Sequence, residues 1–494
     1  MMNLFKSRSI ADRRALEAHL KSRTFRLANK VVPRGKDRGH FGLVGTTGSG
    51  KSTLLKILIQ SILGHPDDDL DATNAFVFDP QNDLYRAIMG MGLPFEVILT
   101  NPLDSRAWAW DMAKDIRDPV GAAQFARTAL GNDETGGENR FYSEAPKIIF
   151  AAVLRELINR NIPWTLRLAY LVTLDDKYAE QLIRTSGDPG VRVVSRLFDE
   201  QQGTTRANVS SSLLTRLAHL ETYAALMEHA RNKYSIGDLI RGDVVAVCGG
   251  DLEYNHIIQP MSYLFLATLK QKLLGRAESN RRRSYIFVDE FSALNGRAPA
   301  DEILDVFERG RSRGVRIGIV IHSPEQLVSV YGRERAATIL GLVQHKVILK
   351  VDEKEGSEWA SALLPQVHGY EWTRNYSESA AFSSQGVTST YGSGASETFA
   401  NRPIVTPDQI RNLRMASLTH GIDGFGIMPG NYGVDRWKFH LSPGWLAEHL
   451  VIGDDSVASY ESCRRDGRQQ RLAPLTRAEV EAIGLAFHQS PPKP

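Results

Sequence analysis

Eight residues, Gly45-Thr46-Thr47-Gly48-Ser49-Gly50-Lys51-Ser52, fit the phosphate-loop pattern G-x-x-x-x-G-K-[ST] in full, and Thr53 follows. Glycines at these positions let backbone N–H groups converge on phosphate oxygens, and the helix that starts near Lys51 adds its positive end. Lys51 is placed to pair with β- and γ-phosphates and Ser52 to ligate Mg²⁺. A second element must hold the metal. The stretch "SYIFVDEF" ends an apolar strand in Asp289, a candidate Mg²⁺ partner, and Glu290 follows at once. An adjacent glutamate is where the additional-strand class of ATPases keeps the base that polarises the attacking water. The third element is "ERGRSRGVRIGIVIHSPEQL". Arg309, Arg311 and Arg313 crowd a turn before a buried strand. They either neutralise a helix C-terminus or supply a cation to the γ-phosphate of a neighbouring subunit. His322 follows that strand, where ring motors often place a polar residue that senses the γ-phosphate.

These residues need a scaffold that brings strand ends together. "HFGLVG", "AFVFDP" and "FEVILTNP" are short apolar strands, and "KSTLLKILIQSIL" is an apolar helix. The order strand, phosphate loop, helix, strand, helix, strand predicts an α/β domain with a mostly parallel sheet. From 114 to 230 the strand signal disappears and helical spacing takes over, which predicts an inserted all-α domain. Strand signal returns at "GDVVAVCGG", "SYIFVDE", "RIGIVIHS" and "HKVILKVD". The sheet domain is therefore expected in two parts, 36–113 and 231–450. Residues 8–31 read as one basic amphipathic helix, so that 1–35 forms an N-terminal helical unit. The Ser-, Thr- and Gly-rich segment 376–401 is expected to be a mobile loop. The polar end, 451–494, is expected to be a fraying tail.

The chain has 494 residues and a net charge of +3, too slight a balance to establish nucleic-acid binding by itself. Its distribution says more: the first forty residues, Arg281-Arg282-Arg283 and the arginines around Arg311 form three basic runs, which favours a polyanionic partner. With two cysteines far apart, Cys248 and Cys463, neither a disulfide framework nor a zinc site is indicated, which favours a reducing cytosol. No apolar run reaches the length of a membrane-spanning helix. The expected location is cytoplasmic, or peripheral at the inner membrane.

Taken together, these stretches resemble the coupling ATPases of type IV secretion and bacterial conjugation, of the TraD, TraG and TrwB type, within the FtsK/HerA-like P-loop motors. The resemblance runs from about Gly42 to Val434. "FVFDPQNDLY", "LTNPLDSRAWAWD", "FVDEFSAL", "GRSRG" with "HSPEQLVSVYG", and "RPIVTPDQIRNL" match the family's elements in order and approximate spacing. The resemblance implies a RecA-like P-loop domain with an all-α domain inserted, assembled as a homo-hexameric ring. It implies ATP and Mg²⁺ at the site, and ATP-driven delivery of relaxase-bound single-stranded DNA to a type IV secretion channel. It also implies that Lys51 and Ser52 bind phosphate and Mg²⁺, that Asp289 holds the metal, that Glu290 activates water, and that Arg311 is the trans-acting finger. Two departures stand out. His322 replaces the family's glutamine, and no run in these 494 residues reads as either of the two transmembrane helices with which many members begin. Two other functions compete: an FtsK- or HerA-type translocase of double-stranded DNA, and a nucleotide-gated receptor for secreted proteins.

Overall fold

A computed structural model describes residues 24–33, 39–65, 70–131, 140–199, 203–251, 253–291, 299–383, 386–430 and 433–487. Strands β1 (Thr24–Leu27) and β2 (Lys30–Pro33) form an antiparallel hairpin. There follow β3 (His40–Val44), helix α1 (Lys51–Leu63), β4 (Ala72–Asp79), α2 (Leu84–Gly90), β5 (Glu96–Leu99) and β6 (Ala109–Trp110). Helices α3 (Pro119–Ala129), α4 (Arg140–Asn159), α5 (Leu166–Leu174), α6 (Asp176–Arg184) and α7 (Gly203–Glu228) then lead to β7 (Lys233–Tyr234). The second part contains β8 (Val244–Gly249), α8 (Asn255–Leu274), β9 (Arg282–Val288), α9 (Pro299–Arg309), β10 (Val315–Ile321) and β11 (Val343–Ile348). After these come β12 (Gln366–Ser383), β13 (Gly386–Pro403), β14 (Ile422–Gly430) and β15 (Gly433–Leu441).

A nine-stranded sheet in the order β15-β14-β11-β3-β10-β9-β4-β8-β5 forms the centre. From β5 to β11 neighbouring strands are parallel, and β14 and β15 close one edge antiparallel. Both faces are covered, which is why the central strands are apolar almost throughout. Ala75 and Val77 join the α1 side, while Phe76 and Phe78 join the side of α8 and the helical segment. The run α3–α7 leaves and re-enters the sheet domain where β6 pairs with β7. Buried Asp115 fixes that neck. Its carboxylate accepts from the Trp110 indole at 2.8 Å and from the backbone N–H groups of Ile236 at 2.7 Å and Gly237 at 2.8 Å.

Three expectations change. Residues 24–33 are a hairpin rather than the end of a helix, because Phe25, Leu27 and Val32 alternate into the core and Ala28 turns the chain with φ 52°. Residues 1–23, which carry the rest of that expected helix, lie outside the described residues. The segment 376–401 falls within two 18-residue strands paired in continuous register from Gln366 with Pro403 to Ser383 with Gly386. A ladder of main-chain hydrogen bonds does not require apolar composition.

The tail is docked as far as residue 487. Arg464 forms an antiparallel bridge with Asp104: Ser105 N–H donates to the Cys463 carbonyl at 2.8 Å, and Arg465 N–H to that of Leu103 at 2.7 Å. Further on, Arg167 of α5 pairs with Glu479 at 2.6 Å, and Val480, Ile483 and Leu485 are buried. Residues 488–494, with the terminal "SPPKP", lie outside the described residues. Val480 is 0% exposed, so Val480→Asp would bury an unpaired carboxylate at a cost of several kcal/mol, about 3 or more. The expected result is a lowered melting temperature and release of the C-terminal segment in limited proteolysis, with ATP affinity kept. Unchanged protease resistance would contradict the docking.

Candidate nucleotide site

The phosphate loop joins β3 to α1. Gly48 and Gly50 hold φ of 76° and 99°, values at which a side chain is strained, and Gly50 stands directly before the first helical residue, Lys51. Thr46 N–H donates to the Lys350 carbonyl at 2.8 Å and Gly45 N–H to that of Ile321 at 3.2 Å, so the loop is tied to the ends of β10 and β11. Gly45 is packed closely, since a Cβ there would meet Ser49 Oγ at 2.6 Å. Thr47 and Ser52 are exposed, whereas Ser49 and Lys51 are buried. Thr46 and Thr53 are half-buried.

Strand β10 lies between β3 and β9, with Ile321 opposite Val44 and Ile319 opposite Val288. Their carboxyl ends thus share one rim. Across it Ser52 Oγ donates to Asp289 Oδ1 at 3.2 Å. Glu290 follows with φ 78°, in the left-handed region that is uncommon for a side chain of its kind. The Gln81 amide donates to Glu290 Oε2 at 3.0 Å. The donor set fits a nucleotide with Mg²⁺: a helix N-terminus, an ammonium, a hydroxyl and a carboxylate meet at one rim of the sheet.

Burial pushes the Lys51 ammonium down to about 8, with Asp289 and Glu290 opposing. Its Nζ donates to the Thr46 carbonyl at 2.6 Å. Burial pushes Asp289 up, while the Ser52 hydroxyl and Lys56 hold it down. His322, at the end of β10, is pushed below its ordinary value by burial and then by the Lys51 charge, with Glu290 opposing. That shift favours the neutral imidazole.

Arg311 is at the other end of β10. It opens a short 3-10 turn, Arg311–Arg313, and is exposed. Seven residues of β10 separate it from the phosphate rim, about 23 Å at ~3.3 Å per residue. Arg313 is engaged locally, donating to the carbonyls of Arg276 at 3.2 Å and Arg309 at 3.1 Å. The structure thus brings Lys51, Ser52, Asp289, Glu290 and His322 together and sets Arg311 apart from them.

The sequence reading left out a polar cluster behind Glu290. Asp79 is fully buried at the end of β4, and its carboxylate accepts from the N–H groups of Asp83 at 3.0 Å and Leu84 at 2.7 Å. Burial nonetheless pushes it up to about 7. Asn101 Nδ2 donates to the Gly250 carbonyl at 3.0 Å, linking the ends of β5 and β8. The signal was the polar turn "DPQND" and the "NP" after β5, which give no partner for Gln81 until the strand order is known.

A family model described as the type IV secretion-system coupling protein DNA-binding domain matches residues 26–435. The chain belongs to the type IV secretion-system coupling proteins. A search of curated protein sequences finds no match. Among solved structures, the unbound monoclinic form of the bacterial conjugative coupling protein TrwBdeltaN70 is similar, with 18% identity and a TM-score of 0.59 over 85% of this chain and 89% of that one. The plasmid coupling protein TrwB with the ATP analogue ADPNP is similar at 18% identity and a TM-score of 0.59, covering 84% and 89%. TrwB with ADP and Mg²⁺ is similar at 17% and 0.59, covering 87% and 92%. The coupling protein therefore has the RecA-like α/β fold with an all-α domain. Among its described residues no helix is long and apolar enough to cross a membrane.

One prediction concerns Lys51. Polyphosphate favours the ammonium form, so binding takes up a proton once the pH exceeds about 8. ATP affinity is expected to be flat below that pH and to fall up to about tenfold per unit above it. Affinity that stays constant from pH 7 to 9 would contradict this environment. A second concerns position 322. Because burial and the Lys51 charge favour the neutral imidazole, His322→Gln is expected to keep hydrolysis within about threefold of native; a dead variant would give the ring a role that a neutral amide cannot fill.

Proposed function

We propose that this coupling protein is an ATP-driven DNA translocase that delivers relaxase-bound single-stranded DNA to a type IV secretion channel. The observation that carries the proposal is the 3.2 Å contact between Ser52 and Asp289, with Glu290 next in sequence, inside a chain of this family. The parts are then 36–113 and 231–450 as the motor and 114–230 as the inserted domain that meets DNA and relaxase. The protein works in the cytoplasm, or at the inner membrane through a partner.

On this reading Mg²⁺, when bound, neutralises charge on the β- and γ-phosphates. Lys51 and the N–H groups of residues 48–53 hold the phosphate chain. Ser52 and Asp289 orient the metal. Glu290 takes the proton of the attacking water, and its Gln81 contact at 3.0 Å sets where that carboxylate starts. His322 offers an N–H to a γ-phosphate oxygen. Arg311 lies too far along β10 to reach its own site, so its charge serves the neighbouring subunit of a homo-hexameric ring.

The test is ATP hydrolysis by the full chain with single-stranded DNA, duplex DNA or none. Single-stranded DNA is expected to stimulate the native protein. Glu290→Gln is expected to lose at least about a hundredfold in turnover while keeping ATP binding. Stimulation by duplex alone would favour an FtsK- or HerA-type motor. Turnover indifferent to DNA, with tight binding of a protein by the helical domain, would favour a nucleotide-gated receptor.

A further inference from the structure

We propose that His420, Asp423 and His440 bind one late first-row divalent cation, such as Zn²⁺ or Co²⁺, on the outer wall of the phosphate loop. The three residues are brought together by backbone geometry. Asp423 and His440 are directly opposite each other in the β14–β15 ladder. His420 precedes Gly421, whose φ of 92° turns the chain where a Cβ would meet the Leu441 carbonyl oxygen at 1.8 Å. The turn is closed by the Ser417–Gly421 bridge, and His420 N–H donates to Ser417 Oγ at 3.0 Å.

The side chains converge on one carboxylate. His420 Nε2 lies 2.8 Å from Asp423 Oδ2, and His440 Nδ1 lies 2.7 Å from Asp423 Oδ1. The two rings are 4.8 Å apart. One donor atom from each residue lies within 4.8 Å of the others. Donors at about 2.0–2.2 Å from a tetrahedral ion are about 3.4 Å apart, so the spacing is reached by small movements. Two imidazoles and one carboxylate suit zinc, nickel or cobalt rather than Mg²⁺ or Ca²⁺, which prefer oxygen ligands. His440 is the most exposed of the three, which leaves a fourth position open to solvent.

Arg414 bears on the protonation state. Its Nη1 donates to His420 Nδ1 at 3.0 Å, which leaves the His420 proton on Nε2, facing Asp423. Cation binding at Nε2 requires that proton to move to Nδ1 and the exposed Arg414 to turn outward. Arg414 is thus a competitor for the site.

The location gives the site a consequence. Ile422 lies between two of the ligands, and its Cδ1 is 2.7 Å from where a Cβ on Gly50 would stand; Met415 Cε is 3.2 Å from the same point on Gly48. A bound cation would fasten the segment 415–422 that backs the phosphate loop. That link to nucleotide rests on the proposed function, but cation binding does not.

The experiment titrates Co²⁺ and Zn²⁺ into the tag-free full chain and reads cobalt d–d absorption and calorimetric stoichiometry. One equivalent with tetrahedral cobalt bands is expected. His440→Ala and Asp423→Asn should each weaken binding at least tenfold with unchanged circular dichroism, and Arg414→Ala should tighten it. Because His440 is partly exposed, its variant is expected to fold. Absence of a stoichiometric site, or binding that His440→Ala and Asp423→Asn leave intact, would overturn the proposal whatever the fate of ATP hydrolysis.

Discussion

Strand β10 sits between β3 and β9, and the nucleotide site depends on that placement. Ser52 follows β3 and Asp289 follows β9, so the two meet only because β10 sets their strand ends level across its own. The strand is held at its base as well as along its ladder. His40 Nδ1 accepts the N–H of Ile317 at 3.0 Å, and Nε2 donates to the Phe307 carbonyl at 3.0 Å. Burial pushes that imidazole down to about 4, so both nitrogens keep these roles throughout the neutral range. Gly318 permits the same packing on the other side, since a Cβ there would stand 2.8 Å from the Phe287 ring.

β10 is hydrogen-bonded along both edges, to β3 and β9, and links two functional ends. His322 leaves one end beside Lys51 and Glu290, and Arg311 leads into the other. On the proposed reading the strand is a strut between a subunit's own γ-phosphate and its neighbour's. A shift of Arg311 on hydrolysis next door would then move His322 as part of the same element. The helical segment is joined to this frame through the narrow β6–β7 neck and Asp115, with the tail from 451 to 487 as a second tether across Leu103, Arg160 and Arg167.

The central fold was legible because its strands are buried on both faces and its glycines are required by the phosphate loop. "HFGLV", "AFVFD" and "RIGIVI" admit few alternatives. The peripheral pairings were hidden for a physical reason. The β12–β13 ladder satisfies its backbone without an apolar pattern, and the β1–β2 hairpin is too short for alternation to compete with a helical stripe. At the site, Lys51, Ser52, Asp289 and Glu290 were marked by types and spacing. Gln81 and Asp79 were not, because their roles arise from β4 lying next to β9, and nothing local in the sequence records that adjacency. The His420, Asp423 and His440 group was invisible for the same reason: a cross-strand register unites it.

On the proposed reading each working site combines residues of two subunits, and complementation between two variants tests it. Arg311→Ala keeps an intact phosphate site, and Lys51→Ala keeps an intact arginine. Each variant alone should lose DNA-stimulated ATP hydrolysis. Mixed in equal amounts under conditions of ring assembly, they should regain a measurable fraction of native turnover. Mixtures that stay as inactive as the separate variants, or an Arg311→Ala ring with native turnover, would contradict the account.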